Sequence, residues 1–131
     1  MEKYYKEMQF ELPIYGGDIT FIHSNDIDKI NEKHDIGRHF SHASTYEHNV
    51  KTDDPDVFHY KYFIVLNSKS KLGNVGIGCL CHEAFHLSNM ICLNKGFIPT
   101  FENDEPQAYI IQYIFNKGLE FYFGFEQEII K

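Results

Sequence analysis

The sequence predicts an α+β fold in which a small antiparallel or mixed sheet packs against two long helices at the C-terminal end. Three observations carry that expectation. Residues 57–67 (Val-Phe-His-Tyr-Lys-Tyr-Phe-Ile-Val-Leu-Asn) first alternate and then run continuously apolar, as a strand entering a core does. Residues 75–95 and a stretch from about 103 to 122 are long enough for helices, and Gly96-Phe97 between them is a left-handed stop signal. The order strands, short helix, loop, strand, helix, helix sets the helices on one face of the sheet.

Along the chain, residues 9–14 and 18–23 flank Tyr15-Gly16-Gly17, which reads as a hairpin turn between two short strands. Ser24 or Asn25 can cap a helix running to about Lys33, with Ile27 and Ile30 on one face. Residues 34–55 are polar, His-rich and without a clear period, and are expected to form a long ordered loop with room for one short strand. Residues 68–73 form a polar turn after the apolar strand. The last helix starts near Asn103 or Asp104, tolerates Pro106 in its first turn, and is weakest at Gly118.

At 131 residues the chain suits one domain, 1–131, with one core. Its 43% hydrophobic and 24% charged residues are a globular composition. A formal charge of −7 with a single arginine, Arg38, argues against nucleic acid, whose affinity comes mainly from Lys and Arg. The first residues lack the apolar core of a secretory signal, and no apolar run reaches the length of a membrane span. Cys79, Cys81 and Cys92 do not form a disulfide framework, so the expectation is a cytoplasmic protein with reduced thiols.

Cys81-His82-Glu83-Ala84-Phe85-His86 carries the chemistry. Residues four apart on a helix lie one turn above each other, so His82 and His86 can aim imidazole nitrogens at one point. Glu83 is offset from His82 by about 100°. It is badly placed to share an ion but well placed to reach a water beside it. The pattern therefore suits zinc-assisted hydrolysis, with Glu83 as the base. A third ligand has to come from elsewhere, and Glu105 is the candidate. The helix descends about 14 Å after His86, a distance that six to eight extended residues recover, and residues 97–103 number seven. Glu105 shares a helical face with Ala108, Tyr109 and Gln112, and a small residue there would allow close approach. Asp104 and Glu102 compete with it, each also readable as an acid at a helix N-terminus.

His-Glu-x-x-His followed after eighteen residues by Glu resembles the gluzincin metallopeptidases. Glu105-Pro106-Gln107-Ala108 resembles the Glu-x-x-Ala segment of small bacterial and phage metallopeptidases that cleave repressors. The block from Cys81 to Ile114 is similar to short zinc-peptidase-like proteins of bacteriophages, and the resemblance covers roughly the last 60 residues. It implies a zincin-type metal helix, with His82, His86 and Glu105 as Zn2+ ligands and Glu83 as general base. It also implies a peptide or protein substrate and, for a phage protein, a host-cytoplasm location.

Gluzincin-type sites also use a Tyr or His to bind the oxyanion. Tyr109, one turn beyond Glu105, is the first candidate here, ahead of Tyr113, His59, His48 and Tyr46. His39, His42 and His48 are either a second metal cluster or a solvated loop. Cys79, one turn before His82, is either a packing residue or a further ligand. The alternative to the enzyme is a metal-stabilised regulatory protein that binds a host partner. An intact Glu83 favours the enzyme, because a structural zinc has no use for an unligated carboxylate there.

Overall fold

A computed structural model describes residues 2–36, 43–54, 58–67 and 74–125. The fold is α+β, and the chain divides into two compact units, Met1–Lys69 and Ser70–Lys131.

The first unit is a four-stranded mixed sheet with one helix. Strands β1 (Tyr5–Glu11), β2 (Asp18–Ser24), β3 (Ala43–Lys51) and β4 (Phe58–Leu66) lie in the order β1-β2-β4-β3. β2 runs antiparallel to β1 and parallel to β4, while β3 is antiparallel to β4. The two central strands have the apolar runs: residues 19–22 of β2 and 62–66 of β4 are all buried. Helix α1 (Ile27–His34) begins at Asp26, whose Oδ1 accepts from Lys29 N at 3.2 Å, and not at Ser24 or Asn25 as expected. Ser24 Oγ instead accepts from Asp26 N, one step earlier. Ile30 and Ile36 pack with Ile22, Phe63 and Val65, and Tyr5 and Tyr46 border them.

Two expectations are corrected here. The first strand starts at Tyr5 rather than Gln9, and the turn spans residues 12–17, closed by Leu12 N donating to Gly17 O at 3.0 Å. Within residues 34–55, expected to be a loop with room for one short strand, the strand β3 is nine residues long. Both elements are edge strands, half in water, so polar side chains suit them and hide the period.

The second unit is a pair of helices, α2 (Asn74–Asn94) and α3 (Glu105–Phe123). α2 ends as predicted: Gly96 takes φ +84°, and Phe97 N reaches back to Cys92 O at 3.1 Å. In α3 the residues Gln107, Ile110, Ile114, Gly118 and Tyr122 are buried, spaced three and four apart. Both ends of that stripe meet α2. Gln107 Nε2 donates to Ser88 Oγ at 3.0 Å and to Asn89 Oδ1, and Gly118 lies against Leu80. The helices are therefore antiparallel. Gly118, expected as a weak point, is a place of close approach to Leu80.

Candidate metal centre

His82, Glu83 and His86 all lie within α2, well inside its ends. The helical spacing brings His82 Nε2 and His86 Nε2 to 3.0 Å, with the rings edge to face at a centroid distance of 4.6 Å. As a hydrogen bond, that contact requires one nitrogen to carry a proton and the other to be bare. As a ligand pair, it is close to the separation of two nitrogens on one tetrahedral zinc, about 3.3 Å for Zn–N bonds of 2.0–2.1 Å. Both imidazoles are exposed, whereas Glu83 beside them is buried, with 7% of its surface accessible.

Ser88 supports this turn from below. Its hydroxyl donates to Phe85 O at 2.6 Å and accepts from Gln107, so α3 holds the turn that carries His86. Of the thiols, Cys92 is buried, and burial pushes its pKa up. Cys79 is half-buried and Cys81 exposed, and neither joins the histidines in a three-donor group.

Glu105 is the first residue of α3 and is exposed, as are Ala108, Tyr109 and Gln112. At 100° per residue this face points away from the Gln107–Gly118 stripe that meets α2. The close approach expected at Ala108 is therefore made by Gly118 instead. Asp104 is the N-cap residue of α3, without a side-chain capping bond. Among the described residues, no three His, Cys, Asp or Glu side chains gather where they could hold a metal ion. The fit to zinc is thus partial: His82 and His86 converge, and Glu105 stands apart from them.

The other candidates have separate surroundings. Tyr109 is 62% exposed on α3, and Lys117 Nζ stands 5.9 Å from the Tyr113 ring. In the first unit, His59 Nε2 lies 2.7 Å from Asp18 Oδ2, and the His48 ring meets Phe63 edge-on. His39 and His42 lie outside the described residues. Sequence reasoning did not single out Ser88 and Gln107. The signal for Gln107 is its place, three residues before Ile110, on the apolar stripe of α3.

Among the described residues no helix is long and apolar enough to cross a membrane. Compared with known proteins, the chain matches no family model, no curated protein and no solved structure.

Proposed function

We propose that the chain is a zinc-dependent metallopeptidase. The observation that supports this reading best is the convergence of the His82 and His86 Nε2 atoms at 3.0 Å, one residue away from a carboxylate in the same helical turn. The His82-Glu83-x-x-His86 spacing in the sequence agrees with it.

In this reading His82 and His86 are neutral imidazole donors to the ion. Glu105 is the third donor expected from the sequence, but it stands on the face of α3 turned away from α2 and is not brought to the pair. When bound, zinc polarises the scissile carbonyl and acidifies the attacking water. Glu83 takes the water proton as the oxygen adds to the carbonyl carbon, and returns it to the amine nitrogen as the C–N bond breaks. Tyr109, the oxyanion donor expected from the sequence, is exposed on the same outward face of α3 as Glu105 and does not face the pair.

The test is metal analysis of the purified protein followed by incubation with an unbiased peptide mixture. About one equivalent of zinc and chelator-sensitive cleavage are expected. Zinc without cleavage of any peptide would favour a metal-stabilised binding protein. Protein that takes up no zinc would remove both readings.

A further inference from the structure

The sheet of the first unit carries a second group of ionisable side chains, independent of the histidine pair on α2. Glu11 on β1, Asp18 on β2, Lys61 on β4 and His48 on β3 are successive register partners across the four strands. Residues directly opposite one another share a face, so the four form one row across the sheet. His59 stands two residues before Lys61 on the same face, and its Nε2 lies 2.7 Å from Asp18 Oδ2. Further along this face, Phe63 and Val65 pack with Ile30 of α1. That helix has only eight residues, about 12 Å. The row beyond it is open to water: Lys61 is exposed, and the His59 side chain is 42% accessible.

The pairing within the row decides its chemistry. Asp18 is the register partner of Lys61, yet its carboxylate is bonded to His59, and Lys61 has no ion pair among the described residues. With Nε2 committed to Asp18, the His59 Nδ1 is the ring atom left for a ligand. It can accept from a phosphate hydroxyl or, with the ring protonated, donate to a phosphate oxygen. His48 lies directly across from Lys61 on β3, its ring edge-on to Phe63 at 5.4 Å. The Lys61 and His48 Cβ atoms are thus about 5 Å apart, and His59 follows about 7 Å along β4. We infer that Lys61, His48 and His59 form a binding site for a single phosphate group on a small molecule. Asp18 is the positioning residue that holds His59. Three groups set around one point suit a tetrahedral phosphate, whereas a planar carboxylate is better matched by an arginine fork. Nucleic acid would need a line of cations. This row has one Lys, and Glu11 at its β1 end repels a second phosphate. The site does not rest on the metallopeptidase reading.

The experiment titrates the protein with inorganic phosphate and follows the histidine rings by NMR, with sodium chloride at matched ionic strength as control. The His48 and His59 signals should move together on one saturating curve, while those of His82 and His86 stay in place. Lys61→Met, a change at an exposed position, should keep the melting temperature and weaken phosphate binding at least about tenfold. Should that variant fail to fold, His48→Gln serves the same comparison. Asp18→Asn should weaken binding less and alter the response of His59 but not of His48. Absence of movement, or movement that chloride reproduces, overturns the inference. Saturable binding of wild-type strength in both Lys61→Met and His48→Gln overturns it as well. A single-stranded oligonucleotide that binds this face more tightly with each added nucleotide would assign the row to nucleic acid and overturn the single-phosphate site.

Discussion

Gly118 of α3 passes so close to Leu80 of α2 that a Cβ built on it would stand 2.6 Å from Leu80 Cδ1 and 3.1 Å from its Cγ. Leu80 is fully buried and has little room to retreat. Gly118→Ala should gain about 1 kcal/mol of helix propensity. It should lose more to overpacking, which costs about 1–3 kcal/mol. A net fall in melting temperature is expected, and Leu80→Ala in the same chain should cancel part of the Gly118 effect. Strictly additive effects in a double-mutant cycle would show that the two residues do not press on each other.

In the first unit, Glu7 Oε1 accepts from Lys33 Nζ at 2.9 Å, and Oε2 accepts from the Tyr5 hydroxyl at 2.9 Å and lies 2.7 Å from His34 Nε2. Burial alone would push the Glu7 carboxyl up. The hydrogen bonds from His34, Lys33 and Tyr5, with the charge of His34, outweigh it and lower the pKa from 4.5 to about 2. A carboxyl depressed in the folded state stabilises above its unfolded pKa, and that contribution disappears as pH falls from about 4.5 to about 2. The cluster is partly exposed, so no more than about 1 kcal/mol is expected. Urea midpoints of wild type and Glu7→Gln should differ at pH 6 and converge near pH 2 (roughly the limits of that window). Parallel curves across the range would contradict the assignment.

The parts of this fold that were legible are those where one physical signal dominates. Gly96 and the apolar run at 62–66 each have one role, and both fall where their chemistry requires. The bounds of the edge strands β1 and β3 were misread because an edge is half solvated and its side chains carry no strong alternation. The His82–His86 pairing was legible because helical spacing alone enforces it. The rotation of α3 was not. Glu105, Ala108 and Tyr109 share one face and Gln107, Ile110 and Gly118 the other, and a buried Gln reads as a surface residue until its partners Ser88 and Asn89 are known.

His82→Ala and His86→Ala should each abolish zinc retention through purification, because loss of one ligand leaves a site too weak to compete for metal. Chelation of the wild-type protein should lower its melting temperature, since an ion bound only to the folded chain stabilises it by mass action. Full zinc content in the double variant would remove these residues from the site.

Glu105→Ala should lose metal as the histidine variants do, whereas Asp104→Ala should shift stability by no more than about 1 kcal/mol through the helix terminus. Glu105 stands exposed on the first turn of α3, so the comparison separates a donor from a solvated acid. Wild-type zinc content in both variants would mean that the third donor lies elsewhere in the chain. If the two exchanged roles, Asp104 would be the ligand.

Glu83→Gln isolates proton transfer from everything else at the site. The amide has nearly the same shape as the carboxylate and can still form hydrogen bonds within its buried position, but it cannot accept a proton from water at neutral pH. Zinc content should stay at the wild-type level because His82, His86 and Glu105 are untouched. Peptide cleavage should fall by at least about 10², the usual contribution of a positioned general base. A loss of kcat with KM nearly unchanged would place the effect in the chemical step rather than in binding. Cleavage by the variant at the wild-type rate would exclude Glu83 as the base. Its burial beside two exposed histidines would then be a feature of packing alone.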